Sequence, residues 1–389
     1  MDDATPDPFG GIPMFGDLAR MLSQQSGAGW DAARQLALSV ATDNGTETNV
    51  DPIERMAYEP LARVAELHIA NATGLDVTTA GLTIVPVTRG EWAVRTLDAW
   101  RPLLDALSGA LSAPATTEPD PSDPMGFLAP LMRMVAPMML GMTAGSMVGH
   151  LARRTFGQYD LPIPRTPSDE LMVVPASIAE FASDWSLPID DLRMWVCLQE
   201  VATHTVLRVP HVRERLDATM IAWASGFEPD SGDLLSRFES VDPSSPEAGF
   251  EAMFSDPEMM LGALRSDAQR ALLPSYEALI ATIVGYVDHL LDTVGVGLMT
   301  RHSMIAEAIR RRRVEADASD RFVERLFGLE LTQATVDRGE AFVRGVLERS
   351  DEATLARVWE SAETLPTPAE LDAPGLWLAR LEFTDPAAG

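Results

Sequence analysis

The segment Val196–Thr205, VCLQEVATHT, sets an acid between two positions that share one helical face. Gln199 and Thr203 stand at i and i+4, and Glu200 follows the first of them. With histidine at both flanking positions the stretch would read HEVAH. That spacing offers zinc two imidazoles from one face of a helix, with the glutamate as general base. A catalytic zinc takes about three protein ligands and a water that the glutamate deprotonates. A carboxamide and a hydroxyl are poor zinc ligands beside imidazole. Glu200 is then a vestigial base with no acidified water to act on.

A second register is open. Glu200 and His204 are also i and i+4, on a face turned by about 100° from the first. Half a metal site would result, with Glu200 as ligand rather than base. A third ligand would have to come from elsewhere, and the histidines are His68, His150, His204, His211, His289 and His302. The plainer reading makes His204 a partly buried helix histidine.

The helix that presents these residues is expected over 189–207, ended by Pro210. Around it the sequence reads as mainly α with a small β-sheet. Asp51-Pro52 opens a long helix with Asp at N-cap and Pro at the first turn. Leu82–Val87 and Leu171–Val174 are short apolar runs that read as strands, and a helix through Trp92 and Trp100 follows the first. Residues 1–15 read as a disordered leader, and 16–112 as an N-terminal helical region with one strand. The Pro- and Asp-rich 113–124 reads as a linker or mobile loop, and 125–389 as a helical domain holding the motif helix.

Segment 126–154 is apolar but interrupted by Arg133 and Pro137. Its longest uncharged run, Met134–Gly149, is at or below the roughly 17 residues that span a bilayer. Gly141, Gly145 and Gly149 make a stripe where another backbone can approach. A buried helix is expected, with a membrane or dimer helix as the other reading. The methionines in this segment read as core filling, or else as an adaptable peptide-binding surface.

The chain has 389 residues, with 58 acidic side chains against 30 basic ones, a net charge of -28. Such a surface repels phosphate backbones, so no nucleic-acid partner is expected. The single cysteine, Cys197, allows no internal disulfide and fits a reducing, cytoplasmic setting; no signal peptide is read at the N-terminus. Cys197 has no activating neighbour in sequence and reads as inert. Arg310–Arg313 reads either as a clamp for a partner's or substrate's carboxylate, or as a helix turn paired with Glu307, Glu315 and Asp317.

Several stretches resemble an actinobacterial family of zinc-dependent metalloproteases with a zincin-like fold. Among them are DPFGGIPMFGDLARML (7–22), VPVTRGEWAVRTLDAWRPLL (85–104), GSMVGHLARRTFGQYDLPIPR (145–165), DWSLPIDDLRMWVCLQEVATH (184–204), GYVDHLLD (285–292) and RRRRVEADASDRFVERLFGLELTQATVDRGEAFV (310–343). The likeness extends over almost the whole chain. It implies HEVxHH where this chain has Gln199-Glu200-Val201-Ala202-Thr203-His204. It also implies a third ligand, Glu, at the slot of Val284, with Asp288 behind it. The presumed ligand positions are thus Gln199, Thr203 and Val284, none of them a good ligand. The resemblance therefore implies a pseudoenzyme that holds an unidentified peptide or protein without zinc. The alternative is an active metallopeptidase with a rearranged zinc site around Glu200 and His204, helped by Asp288 or His289.

Overall fold

The computed structural model describes residues 26–76, 81–112, 128–227, 265–314, 318–329 and 331–384. The expected leader 1–15 and the expected linker 113–124 lie outside these residues. One continuous core runs through both sides of the 113–124 segment. Among the described residues the architecture is helical, with one two-stranded sheet.

Helix α1 (Ser26–Ala41) lies along the glycine-striped helix, which is α5 (Leu128–Arg154). A Cβ at Gly145 would fall inside the Ala33 carbonyl, 3.0 Å from its carbon, and one at Gly149 would sit 2.8 Å from the Ala37 oxygen. The stripe is therefore filled by α1, through Gly29, Ala33, Ala37 and Val40, within the same chain. Of the methionines, Met139 and Met147 are buried here while Met138 is half exposed.

Helix α2 (Pro52–Thr73) starts as expected. Asp51 caps it by accepting from the Ile53 amide at 2.7 Å, and it ends on left-handed Gly74. The helix expected through Trp92 and Trp100 is instead two, α3 (Arg89–Ala99) and α4 (Arg101–Ser112). Pro102 has no N–H to continue the ladder, so the chain kinks at Trp100.

Strands β1 (Thr83–Pro86) and β2 (Glu170–Val173) pair in parallel, with Ile84 opposite Leu171. Parallel pairing needs a long crossover, here made by the intervening helices. Beyond β2 the chain bonds back to 156–157: Gly157 bridges Val173, and the Val174 amide donates to the Phe156 carbonyl at 2.8 Å. The sheet thereby fixes the segment 155–160 beside the motif helix.

After α6 (Pro175–Asp184) comes that helix, α7 (Ile189–Arg208). Asp190 and Asp191 sit in its first turn and Arg208 in its last, each complementing the helix dipole. Val209, before Pro210, adopts extended backbone, which ends the helix and starts α8 (Pro210–Ser225). Side chains are buried on every face of α7, so it is a central element rather than an amphipathic surface helix.

The remaining described helices are α9 (Asp267–Leu298), which packs on α7, and α10 (His302–Val314), α11 (Ala318–Leu326), α12 (Gln333–Leu347), α13 (Glu352–Ala356), α14 (Pro368–Asp372) and α15 (Pro374–Thr384). Helix α9 opens with a capping box between Ser266 and Gln269. It crosses α12 at Gly285 and Gly339; a Cβ at Gly285 would come 2.7 Å from the Gly339 Cα. Among the described residues α9 is also the one helix long and apolar enough to cross a membrane. In its most apolar window 61% of the residues are buried inside the protein.

Candidate functional site

A cavity of ≈ 130 Å³ lies between the motif helix and α9. Gln199 and Thr203 reach it from α7, and Val284, Val287 and Asp288 from α9. The 155–162 segment contributes Gln158, Tyr159 and Asp160, and α10 contributes Arg312 and Arg313. Trp92 and Trp100 line it as well. The three positions where the resemblance implies ligands thus share one hollow, although two of them are some eighty residues from the third in sequence.

Glu200 points elsewhere. It is fully buried and is not among the side chains lining the cavity. Oε2 accepts from the Gln158 amide at 2.9 Å and the Tyr159 amide at 3.0 Å, and Oε1 from the Tyr159 amide at 3.1 Å. Gly157 makes this fit possible, because a Cβ there would come 2.5 Å from the Glu200 carboxyl carbon. Burial pushes the Glu200 carboxyl well above the ordinary carboxylate range, and nearby Asp160 adds to this. The two amides and Arg165 pull the other way. Arg165 props the same loop, donating to Thr96 Oγ1 at 2.9 Å and to the Gln158 carbonyl at 3.3 Å.

His204 is buried one turn on, with Nδ1 3.2 Å from the Tyr159 hydroxyl and Nε2 without a partner. Burial, with Arg208 adding to it, lowers its pKa to about 4, so the imidazole is neutral at neutral pH. His204 does not line the cavity. His289 lies in a neighbouring surface hollow, where Nε2 meets Glu352 at 3.0 Å. Asp288 gives both oxygens to Arg313, at 2.7 and 2.8 Å. His204, Asp288 and His289, considered as a residual site, are therefore not brought to one point. Buried Cys197 is also far from reactive, since burial pushes its thiol up.

The arginine run divides. Arg310 and Arg311 pair with Glu307 on the surface, at 3.8 and 2.8 Å. The other two expected partners, Glu315 and Asp317, lie outside the described residues. Arg312 and Arg313 turn inward, and Arg312 meets Asp160 at 2.7 Å. Asp160, Trp92 and Trp100 had no signal as site residues in sequence, and Arg312 had one only as part of the Arg310–Arg313 run; the fold brings them to this cavity.

The donors present do not suit zinc. Gln199 and Thr203 are neutral and Val284 has no donor atom. Asp288 and one oxygen of Asp160 are bound to guanidiniums. No group of three or more His, Cys, Asp or Glu among the described residues is arranged to hold a metal ion. The described carboxylates lining the cavity are Asp160, Asp288 and Glu324, and a cation would compete with Arg312 and Arg313 for the first two.

The fold and this helix-borne motif define a mainly helical zincin-like scaffold. The sequence profile of the zincin-like metallopeptidase family matches residues 29–378, and the chain belongs to that family. The crystal structure of a presumed hydrolase with a novel fold from Chloroflexus aurantiacus is similar, with a TM-score of 0.60 over 92% of this chain and 99% of that one. At 24% identity this likeness establishes a shared fold. No functionally curated protein matches the chain.

Proposed function

We propose that this chain is a zincin-like pseudoenzyme that holds a peptide or protein segment in the former metal cleft without cutting it. One observation supports the reading above the rest. An amide, an alcohol and an isopropyl group, Gln199, Thr203 and Val284, meet in one cavity where the family resemblance implies three ligands. Binding free energy for a structural or catalytic ion comes from deprotonated or imidazole ligands, and none of these three qualifies. Glu200, tied to the Gln158 and Tyr159 amides, works as a structural clamp.

The test is metal content of protein purified without chelator, beside the variant Gln199→His/Thr203→His/Val284→Glu. The unmodified chain is expected to hold no stoichiometric zinc and the triple variant to take up one ion per chain. Stoichiometric zinc in the unmodified chain, lost on His204→Ala, would overturn the proposal in favour of a rearranged metallopeptidase site. Failure of the triple variant to take up zinc would show that the three positions do not converge on one metal point.

A further inference from the structure

The two inward arginines are not accounted for by a clamp on Glu200 or by the missing ligands. Arg312 spends Nη2 on Asp160 at 2.7 Å and on the Arg154 carbonyl at 2.6 Å, and its plane lies 3.8 Å over the Phe156 ring. Its Nε and Nη1 have no acceptor among the described residues. Arg313 sets Nη1 and Nη2 against Asp288 as a fork, which leaves Nε likewise unspent. Across the cavity, the Gln199 amide and the Thr203 hydroxyl make no hydrogen bond to a described residue. The buried indole N–H of Trp100, another lining residue, has no partner either.

The spare guanidinium N–H groups can only donate, while Gln199 and Thr203 can donate or accept. Of the described carboxylates lining the cavity, Asp288 gives both oxygens to Arg313, Asp160 gives Oδ2 to Arg312 and to the Phe156 amide while its Oδ1 is buried without a partner, and Glu324 is the third. A group that fills this space has to bring acceptors, because buried donors left unmet cost free energy. A guanidinium matches a carboxylate in shape and charge better than it matches a neutral amide. The two carboxylates already on the arginines hold both guanidiniums in place, so little ordering is left to the ligand. A cavity of ≈ 130 Å³ accepts a terminal group rather than a folded segment.

The geometry points to a carboxylate-binding pocket formed by Arg312 and Arg313 on one side and Gln199 and Thr203 on the other. The ligand is the terminal carboxylate of a peptide, or a small free carboxylic acid presenting the same group. This inference rests on the reading of the cavity as a binding site and specifies what it binds.

The test is calorimetric titration of the full chain with three probes: N-acetyl-Ala-Ala, its C-terminal amide, and succinate. The free acid is expected to bind at least ten-fold more tightly than the amide. Gln199→Leu and Thr203→Val, which leave both ion pairs intact, are each expected to weaken the acid several-fold. Arg312→Gln is expected to abolish acid selectivity, and the two former variants keep the test valid if it does not fold. Binding of succinate but not of the peptide acid supports the pocket and assigns it to small acids. Equal binding of acid and amide, or binding of none of the three, overturns the inference. Metal content of the same sample separates the two readings. Zinc with acid selectivity that survives chelation sinks the lost-metal proposal alone; zinc-free protein without acid selectivity sinks this inference alone.

Discussion

Replacing Glu200 tests whether this residue is a structural clamp or a surviving base. In Glu200→Leu, the Gln158 and Tyr159 amides lose their acceptor inside the protein. Each buried donor left unpaired costs about 1–3 kcal/mol, so the variant is expected to lose about 2–6 kcal/mol. Glu200→Gln can keep both bonds if its carbonyl oxygen takes the place of Oε2, and is expected to stay within about 1 kcal/mol of wild type. The charge adds a pH signature. The Glu200 pKa is raised in the folded chain. Above the ordinary glutamate value of about 4.3, the folded state therefore keeps a proton that the unfolded state has released. Wild-type stability should then fall as pH rises through this window, by up to about 1.4 kcal/mol per pH unit from this one group. The glutamine variant lacks that contribution and should gain on wild type as pH rises. Urea denaturation at several pH values, followed by tryptophan fluorescence, measures both effects. A leucine variant as stable as wild type, or parallel pH profiles for wild type and glutamine, would refute the clamp. A base facing an open metal site would give the opposite pattern, with stability untouched and hydrolysis abolished.

Two further expectations concern packing and charge. Gly145→Ala pushes a methyl into the Ala33 carbonyl and is expected to cost about 1–3 kcal/mol; an unchanged Tm would show that α1 does not seat on the glycine stripe. Arg313→Met strands the half-buried Asp288 and is expected to cost about 1–3 kcal/mol, less than a fully buried pair would. Arg311→Ala removes an exposed pair and should stay within about 0.5 kcal/mol, so equal losses in the two variants would contradict the inward placement of Arg313.

Much of the local structure was legible because it follows from local rules. The Asp51-Pro52 helix start, the two β-branched strands and the motif helix ended by Pro210 all lie close to where periodicity and capping put them. The kink at Trp100 was missed because the apolar pattern continues across it; the lost hydrogen bond at Pro102 interrupts the helix without changing that pattern. The glycine stripe announced a close helix contact, but the partner residues on α1 are more than a hundred positions earlier in the chain. Arg310–Arg313 shows the same limit: four identical residues in a row have no sequence feature to say which two face inward.

The sequence by itself determined which chemistry is affordable. The amide of Gln199 and the alcohol of Thr203 are weak metal donors in any fold, and the isopropyl group of Val284 is none. Only the tertiary structure decided that these three share a hollow, that Arg312 and Arg313 turn into it, and that Glu200 faces away. The physical reason is the distance over which each is settled. Donor strength is a property of one side chain. The direction of Glu200 depends on a glycine and two amides about forty residues earlier, held there by a sheet whose strands lie far apart in the chain.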